Sequence, residues 1–158
     1  MKLWRIARDT RQFAATDLTG AGAAVEPGRW NDEGQPVLYT TTTVALAVLE
    51  TAAHLVDAAL PLNRYLIEID VPADAWSHRE VMDVSTLPAT WNAIPAGQAS
   101  VGVGAEWLAS MRSPLLLVPS VVVPEECIVL VNPRHPSCRK LKAQVSRQVE
   151  YNRLFRGG

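Results

Sequence analysis

Five side chains carry most of the chemical potential of this sequence, and each also has a plain structural reading. Glu50 stands in an otherwise apolar stretch, preceded by Leu46, Ala47 and Leu49 and followed by Ala53 and His54. An ionised carboxylate buried there without a partner is costly. It is therefore either a functional group facing a cavity or the edge of a helix that reaches solvent, with His54 one turn further along the same face. Arg29 sits in Gly28-Arg29-Trp30-Asn31, between a turn glycine and a large aromatic that could hold it rigidly. Its planar fork suits a carboxylate or a diphosphate better than a lysine would. The alternative is a surface loop with Trp30 tucked into the core. Arg5 faces away from Trp4 in a short strand, and so lines a cleft or meets solvent. Tyr39 closes another strand eleven residues before Glu50, where its ring could stack on a flat ligand while its hydroxyl stays usable. Tyrosine is equally an ordinary strand residue. Ser120, between Pro119 and Val121, needs a partner if buried, and an ordinary turn serine explains it as well.

Other chemistries fail on spacing. His54, His78 and His135 are scattered, with no HExxH or CxxC companion, so no metal site is expected. Gly102-Val103-Gly104 lacks the rest of a dinucleotide fingerprint. There is no GxSxG elbow for an acyl-transfer serine and no P-loop. Cys127 and Cys138 have neither zinc-ligand spacing nor the density of a disulfide framework.

The elements that must position these residues follow from length and pattern. At 158 residues, with 48% apolar and 20% charged, the chain has the balance of a single globular domain spanning 1–158. Fifteen basic against sixteen acidic residues leave a net charge of −1, which offers little to a phosphate backbone, so direct nucleic-acid binding is not expected. No apolar run approaches the ~20 residues of a membrane span, and the N-terminus becomes charged too early for a signal peptide. A cytoplasmic protein is expected.

Residues 2–7 read as a strand, and 36–40 as another. Between them, 9–35 holds four glycines and reads as irregular. Thr43 is a suitable N-cap for a helix running towards Pro61; it is apolar on nearly every side from Val44 to Val56 and so should be largely buried. Residues 64–71 alternate, with Tyr65, Ile67, Ile69 and Val71 on one face. Loops and one short helix are expected over 72–104, a helix over 105–112, and strands over 115–118 and 126–131. The tail 140–151 fits both periods, and the strand reading is preferred. The sum is an α+β domain with a small mixed or antiparallel sheet and few helices.

Taken together, LWRI at the start, GRWNDEGQPVLYTTTTVALAVLE at 28–50, LLLVPSVVVPEE at 115–126 and VNPRHP at 131–136 resemble the RES domain, named for an Arg, a Glu and a Ser. The stretch 72–100 carries little of that likeness. The resemblance implies a fold similar to the ADP-ribosyltransferases. It also implies a toxin of a two-component toxin–antitoxin pair, with an Xre-like antitoxin as partner. Such proteins consume NAD⁺ as a substrate, by hydrolysis or phosphorolysis, or transfer its ADP-ribose to a host protein; no metal or recycled cofactor is implied. A non-catalytic module that only binds its antitoxin is the rival of another class. Carried over by this resemblance, Glu50 stabilises the ribose cation, Arg29 and Arg5 hold the diphosphate, Tyr39 stacks on an NAD⁺ ring, and Ser120 hydrogen-bonds the nicotinamide ribose or amide.

Overall fold

A computed structural model describes residues 1–55, 62–151 and 153. The described residues form a seven-stranded sheet with short helices against it. In chain order the elements are β1 (Lys2–Arg8), α1 (Ala21–Val25), β2 (Leu38–Thr41), α2 (Val44–Ala52), β3 (Arg64–Asp70), α3 (Ala73–Ser77), β4 (Glu80–Val81), α4 (Gln98–Ser110), β5 (Leu115–Pro119), β6 (Cys127–Val131) and β7 (Lys142–Gln148). The sheet order is β4-β5-β6-β2-β1-β3-β7. Every neighbouring pair is antiparallel except β4–β5, which is parallel. The sheet is thus mixed, as the run of strands around one central helix implies.

Period-two alternation gives the sheet two apolar faces. On one, Leu3, Leu38, Ile67, Ile69, Leu115 and Val129 join a single cluster. On the other, Leu116, Val118 and Leu130 pack with Trp30 and Trp107. Further along that second face, Leu66 is buried with Val149 and Tyr151, and Trp4, Ile6 and Val44 pack around them. The expected face of β3 is observed: Ile67, Ile69 and Val71 are buried together with Tyr65 against them. The ambiguous tail is a strand over its middle, Lys142–Gln148, paired along β3 from Asp70↔Lys142 to Tyr65↔Gln148, while Val149 and Glu150 lie beyond it and Tyr151 is helical.

Several expectations are corrected. The stretch 9–35 contains α1, and the strand placed at 36–40 begins at Leu38. The helix placed at 105–112 starts at Gln98 and stops at Ser110, where Met111 turns left-handed at φ 54°. Thr43 does cap α2, its Oγ1 accepting from the Leu46 amide at 3.2 Å. The helix ends at Ala52, however, and 53–55 are not helical; the remainder of the expected helix, 56–61, lies outside the described residues. Nor is α2 buried all round. Leu46 and Ala47 are its buried residues, and Leu49 is 42% exposed. The helix covers the sheet on one side only, so its apolar composition overstates its burial. None of the described helices is long and apolar enough to cross a membrane.

Candidate active site

The site arises where the sheet splits. β1 and β2 are neighbours, yet their register consists of one pair, Trp4↔Thr41. There the Thr41 hydroxyl donates to the Trp4 carbonyl at 3.3 Å and to that of Thr43 at 2.7 Å. Past this junction the strands part, and Arg5–Arg8 face Val37, Tyr39 and Thr40 across a cavity of about 780 Å³. Glu50, Thr51 and His54 approach it from α2 and the turn after it, and the loop before β2 closes another side. That loop passes β2 so closely that a Cβ on Gly20, whose φ is +72°, would lie 2.7 Å from the Val37 nitrogen. Glycine alone satisfies both the left-handed backbone and the close approach.

Glu50 is half-buried at the cavity, and its Oε1 accepts a hydrogen bond from Ser120 Oγ at 2.5 Å. Ser120 is only 1% exposed. Its Oγ also accepts from the amides of Val122 at 3.1 Å and Val123 at 2.9 Å. The two backbone donors fix the hydroxyl, so its proton is directed at the carboxylate. A donor locked in this way holds a carboxylate in one orientation. Ser120 is not part of the cavity wall, and stands behind Glu50.

Tyr39 lines the cavity, while its hydroxyl is engaged by the loop before β2. It accepts from the Trp30 amide at 2.9 Å and donates to Asn31 Oδ1 at 2.7 Å. Burial raises its pKa well above the ordinary phenol range, against the opposing pull of the Trp30 amide and Arg29; the group stays a neutral donor. Gly28 lies over the phenol, where a Cβ would be 2.6 Å from Tyr39 Cζ. Asn31, fully buried, completes the loop: Oδ1 also accepts from the Gly28 amide, and Nδ2 donates to the carbonyls of Ala23 and Gln35. Asn31 is the organiser of this loop. In the sequence the same four residues drew notice for Arg29 alone, although an Asn in a turn is a known local hydrogen-bonding signal.

Arg29 is half-buried, with Nη1 donating to the carbonyls of Trp91 at 2.9 Å and Ala93 at 2.8 Å. Burial lowers its pKa, and chiefly the charge of Glu50 opposes that shift. Arg29 therefore shares an electrostatic neighbourhood with Glu50, although it is not in the cavity wall. Trp30 is buried, stacked on Trp91 with ring centroids 6.1 Å apart.

Arg5 lies in the wall and donates to the Ala15 carbonyl at 3.1 Å. Burial lowers its pKa, with Asp17 countering. Three further arginines, Arg8, Arg11 and Arg64, line the same cavity and went unmarked in the sequence. No local pattern could have found Arg64, because pairing of β1 with β3 brings it there. His54 lines the cavity too, but from the turn after α2 rather than from the helix itself.

The structure thus gathers Arg5, Tyr39 and Glu50 around one cavity and sets Ser120 and Arg29 next to it. An orientated carboxylate facing an arginine-rich cleft can stabilise a developing cation on a ligand whose other parts are anionic.

Comparison with known proteins agrees over nearly the whole chain. The RES domain model matches residues 2–153. The chain is 48% identical over 149 residues to the Prs ADP-ribosylating toxin of Sphingobium sp. (strain YBL2), covering 94% of this chain and 92% of that protein. It is 36% identical to Toxin Res of Photorhabdus laumondii subsp. laumondii, covering 84% and 82%. With Toxin Res of Yersinia enterocolitica it shares 37% identity, covering 87% of each. Among solved structures, the M. tuberculosis MbcT–MbcA toxin–antitoxin complex contains a chain of the same fold, with TM-score 0.60 and 17% identity over 94% of this chain and 82% of that one. Split sheet, loop, carboxylate and serine all fall within the matched residues, and the chain belongs to the RES domain family.

Proposed function

We propose that this protein is the toxin of a toxin–antitoxin pair and that it cleaves the nicotinamide–ribose bond of NAD⁺. The observation that carries the reading is the Glu50 carboxylate at the split-sheet cavity, held by a buried Ser120 hydroxyl at 2.5 Å. Breaking that bond sends the electron pair to nicotinamide and leaves positive charge on the ribose. A pre-orientated carboxylate beside the ribose carbon stabilises this charge more in the transition state than in the ground state. An oxygen nucleophile then bonds to the carbon and gives up its proton. Arg5 in the wall and Arg29 near Glu50 add fixed positive charge to the cleft, and Tyr39 gives a flat surface for one of the nucleotide's rings. Ser120 acts through Glu50 as a positioning residue.

The reading agrees with relatives named as toxins, and with a fold neighbour solved as a toxin–antitoxin complex. The partner is an antitoxin, for which we propose the Xre-like type, and the site of action is the cytoplasm. A second reading, transfer of ADP-ribose to a host protein in place of water or phosphate, is favoured by one observation. A relative 48% identical to this chain bears the name ADP-ribosylating toxin. A purely antitoxin-binding module would have no use for the Ser120–Glu50 arrangement.

Incubation of the purified protein with NAD⁺, with and without phosphate and with cell proteins, tests these readings by mass analysis. Nicotinamide release is expected, together with free ADP-ribose, its phosphorylated form, or a protein heavier by one ADP-ribose. Glu50→Gln should stay folded and lose about 10²–10³ in rate. Near-native turnover by folded Glu50→Gln would exclude the mechanism.

A further inference from the structure

The charges around the cavity form separate groups. Arg29 feels the charge of Glu50; Arg5 is offset by Asp17 and donates to Ala15. The remaining group lies at the far end of the β1–β3 ladder, where Arg8 and Arg64 are direct cross-strand partners. Like charges directly opposite on a sheet are destabilising. Arg64 Nε, like Arg5 Nε, is also buried, with no hydrogen-bond partner among the described residues. Burial, and next the charge of Arg8, lower the Arg64 pKa, while Tyr151 and Glu26 pull the other way. Among the described residues the one carboxylate paired with Arg8 is Glu26, at 3.4 Å, and both of those side chains are largely exposed. Such a pair is worth little. Arg8, Glu26 and Arg64 all line the cavity.

We propose that Arg8 and Arg64 together form the anion site for the diphosphate of the donor nucleotide, with Glu26 as an internal carboxylate that the diphosphate displaces from Arg8. This rests on the nucleotide reading of the cavity and relocates the diphosphate from the Arg29 and Arg5 expected from sequence. Arg29 is outside the cavity wall, with Nη1 given to two carbonyls. Arg5 already donates to one carbonyl and is countered by Asp17. Two guanidinium groups at one end of the cavity suit a dianion with oxygens at both phosphorus atoms.

Calorimetry on the full chain tests the site with ADP, ADP-ribose, adenosine and inorganic pyrophosphate as probes. Arg64→Gln and Arg8→Gln should each weaken ADP and ADP-ribose about tenfold or more, leaving adenosine unchanged. Glu26→Gln should tighten both diphosphates by about two- to fivefold. Arg64→Gln should leave the thermal midpoint of the empty protein unchanged or higher, since it removes a like-charge pair. A structural arginine would give the reverse. Should Arg64→Gln fail to fold, the exposed pair Arg8→Gln and Glu26→Gln still decides the matter. Unchanged diphosphate affinity in the variants, or equal weakening of ADP and adenosine, overturns the site. Pyrophosphate bound as tightly as ADP-ribose, with the same dependence on Arg64, overturns the nucleotide as its source. If the variants behave as expected but the wild-type protein releases no nicotinamide from NAD⁺, the proposed reaction fails and the anion site stands. If NAD⁺ is consumed with unchanged KM in Arg64→Gln, the site fails and the reaction stands.

Discussion

Tyr39→Phe separates a hydroxyl that builds the loop from one that meets a ligand. The substitution removes a single oxygen and leaves the ring in the cavity wall. Two hydrogen bonds disappear, the 2.9 Å bond from the Trp30 amide and the 2.7 Å bond to Asn31 Oδ1. Asn31 Oδ1 keeps the Gly28 amide as a donor. The Trp30 amide belongs to a residue 1% exposed, so no water replaces the lost acceptor. One unsatisfied buried donor and one lost bond together cost about 2–3 kcal/mol. For a domain of this size that lowers Tm by roughly 4–12 °C.

The pH dependence supplies an independent check on the same hydroxyl. Burial raises the folded-state pKa of Tyr39 above its unfolded value, chiefly by desolvation. The stability it contributes is therefore complete below an unfolded pKa of about 10 and is lost as pH rises beyond it. Phe has nothing to ionise. The Tm gap between wild type and variant should be constant from neutral pH to about pH 9.5 and shrink as pH rises beyond about 10, as read by circular dichroism melts. A variant melting within 1–2 °C of wild type at neutral pH, or a gap constant through pH 11, would refute the assignment of the hydroxyl to the loop.

Ser120→Ala deprives Glu50 of its donor and the amides of Val122 and Val123 of their acceptor, so it should cost about 1–3 kcal/mol and depress kcat more than it raises KM. A change in KM alone would point to substrate contact instead. Arg29→Lys should lower kcat/KM by about tenfold, because one ammonium cannot keep both the Trp91 and Ala93 carbonyls and a fixed charge near Glu50; identical kinetics would make Arg29 dispensable. Gly104→Ala should destabilise by roughly 3 kcal/mol or more, since a Cβ there would overlap the backbone carbonyl of Trp30. Denaturant melts should show the loss, and a midpoint equal to wild type would mean that α4 and the Trp30 loop move apart freely.

Local rules made much of this protein legible in its sequence. Period-two alternation marked β1, β3 and β7, because a strand's side chains alternate whatever it pairs with. Thr43 was readable as a cap, since a cap bonds only to the first turn of its own helix. Glu50, Arg29, Tyr39 and Ser120 stood out as polar groups in apolar or turn settings. Their partners were not legible. Ser120 meets Glu50 across 70 residues and Arg29 meets Ala93 across 64, contacts that no spacing encodes. The order of strands places β1 between β2 and β3, and the single β1–β2 pair opens the cavity. Arg64 became a cavity residue only because it lies opposite Arg8 in that order. The apolar run of α2 likewise suggested burial on all sides, but the helix has a sheet on one side and solvent on the other. Side-chain periodicity is a property of one segment, whereas strand order and the division of a sheet depend on which distant faces bury each other best. The kinds of groups were therefore written locally, and their assembly into a site was decided by packing.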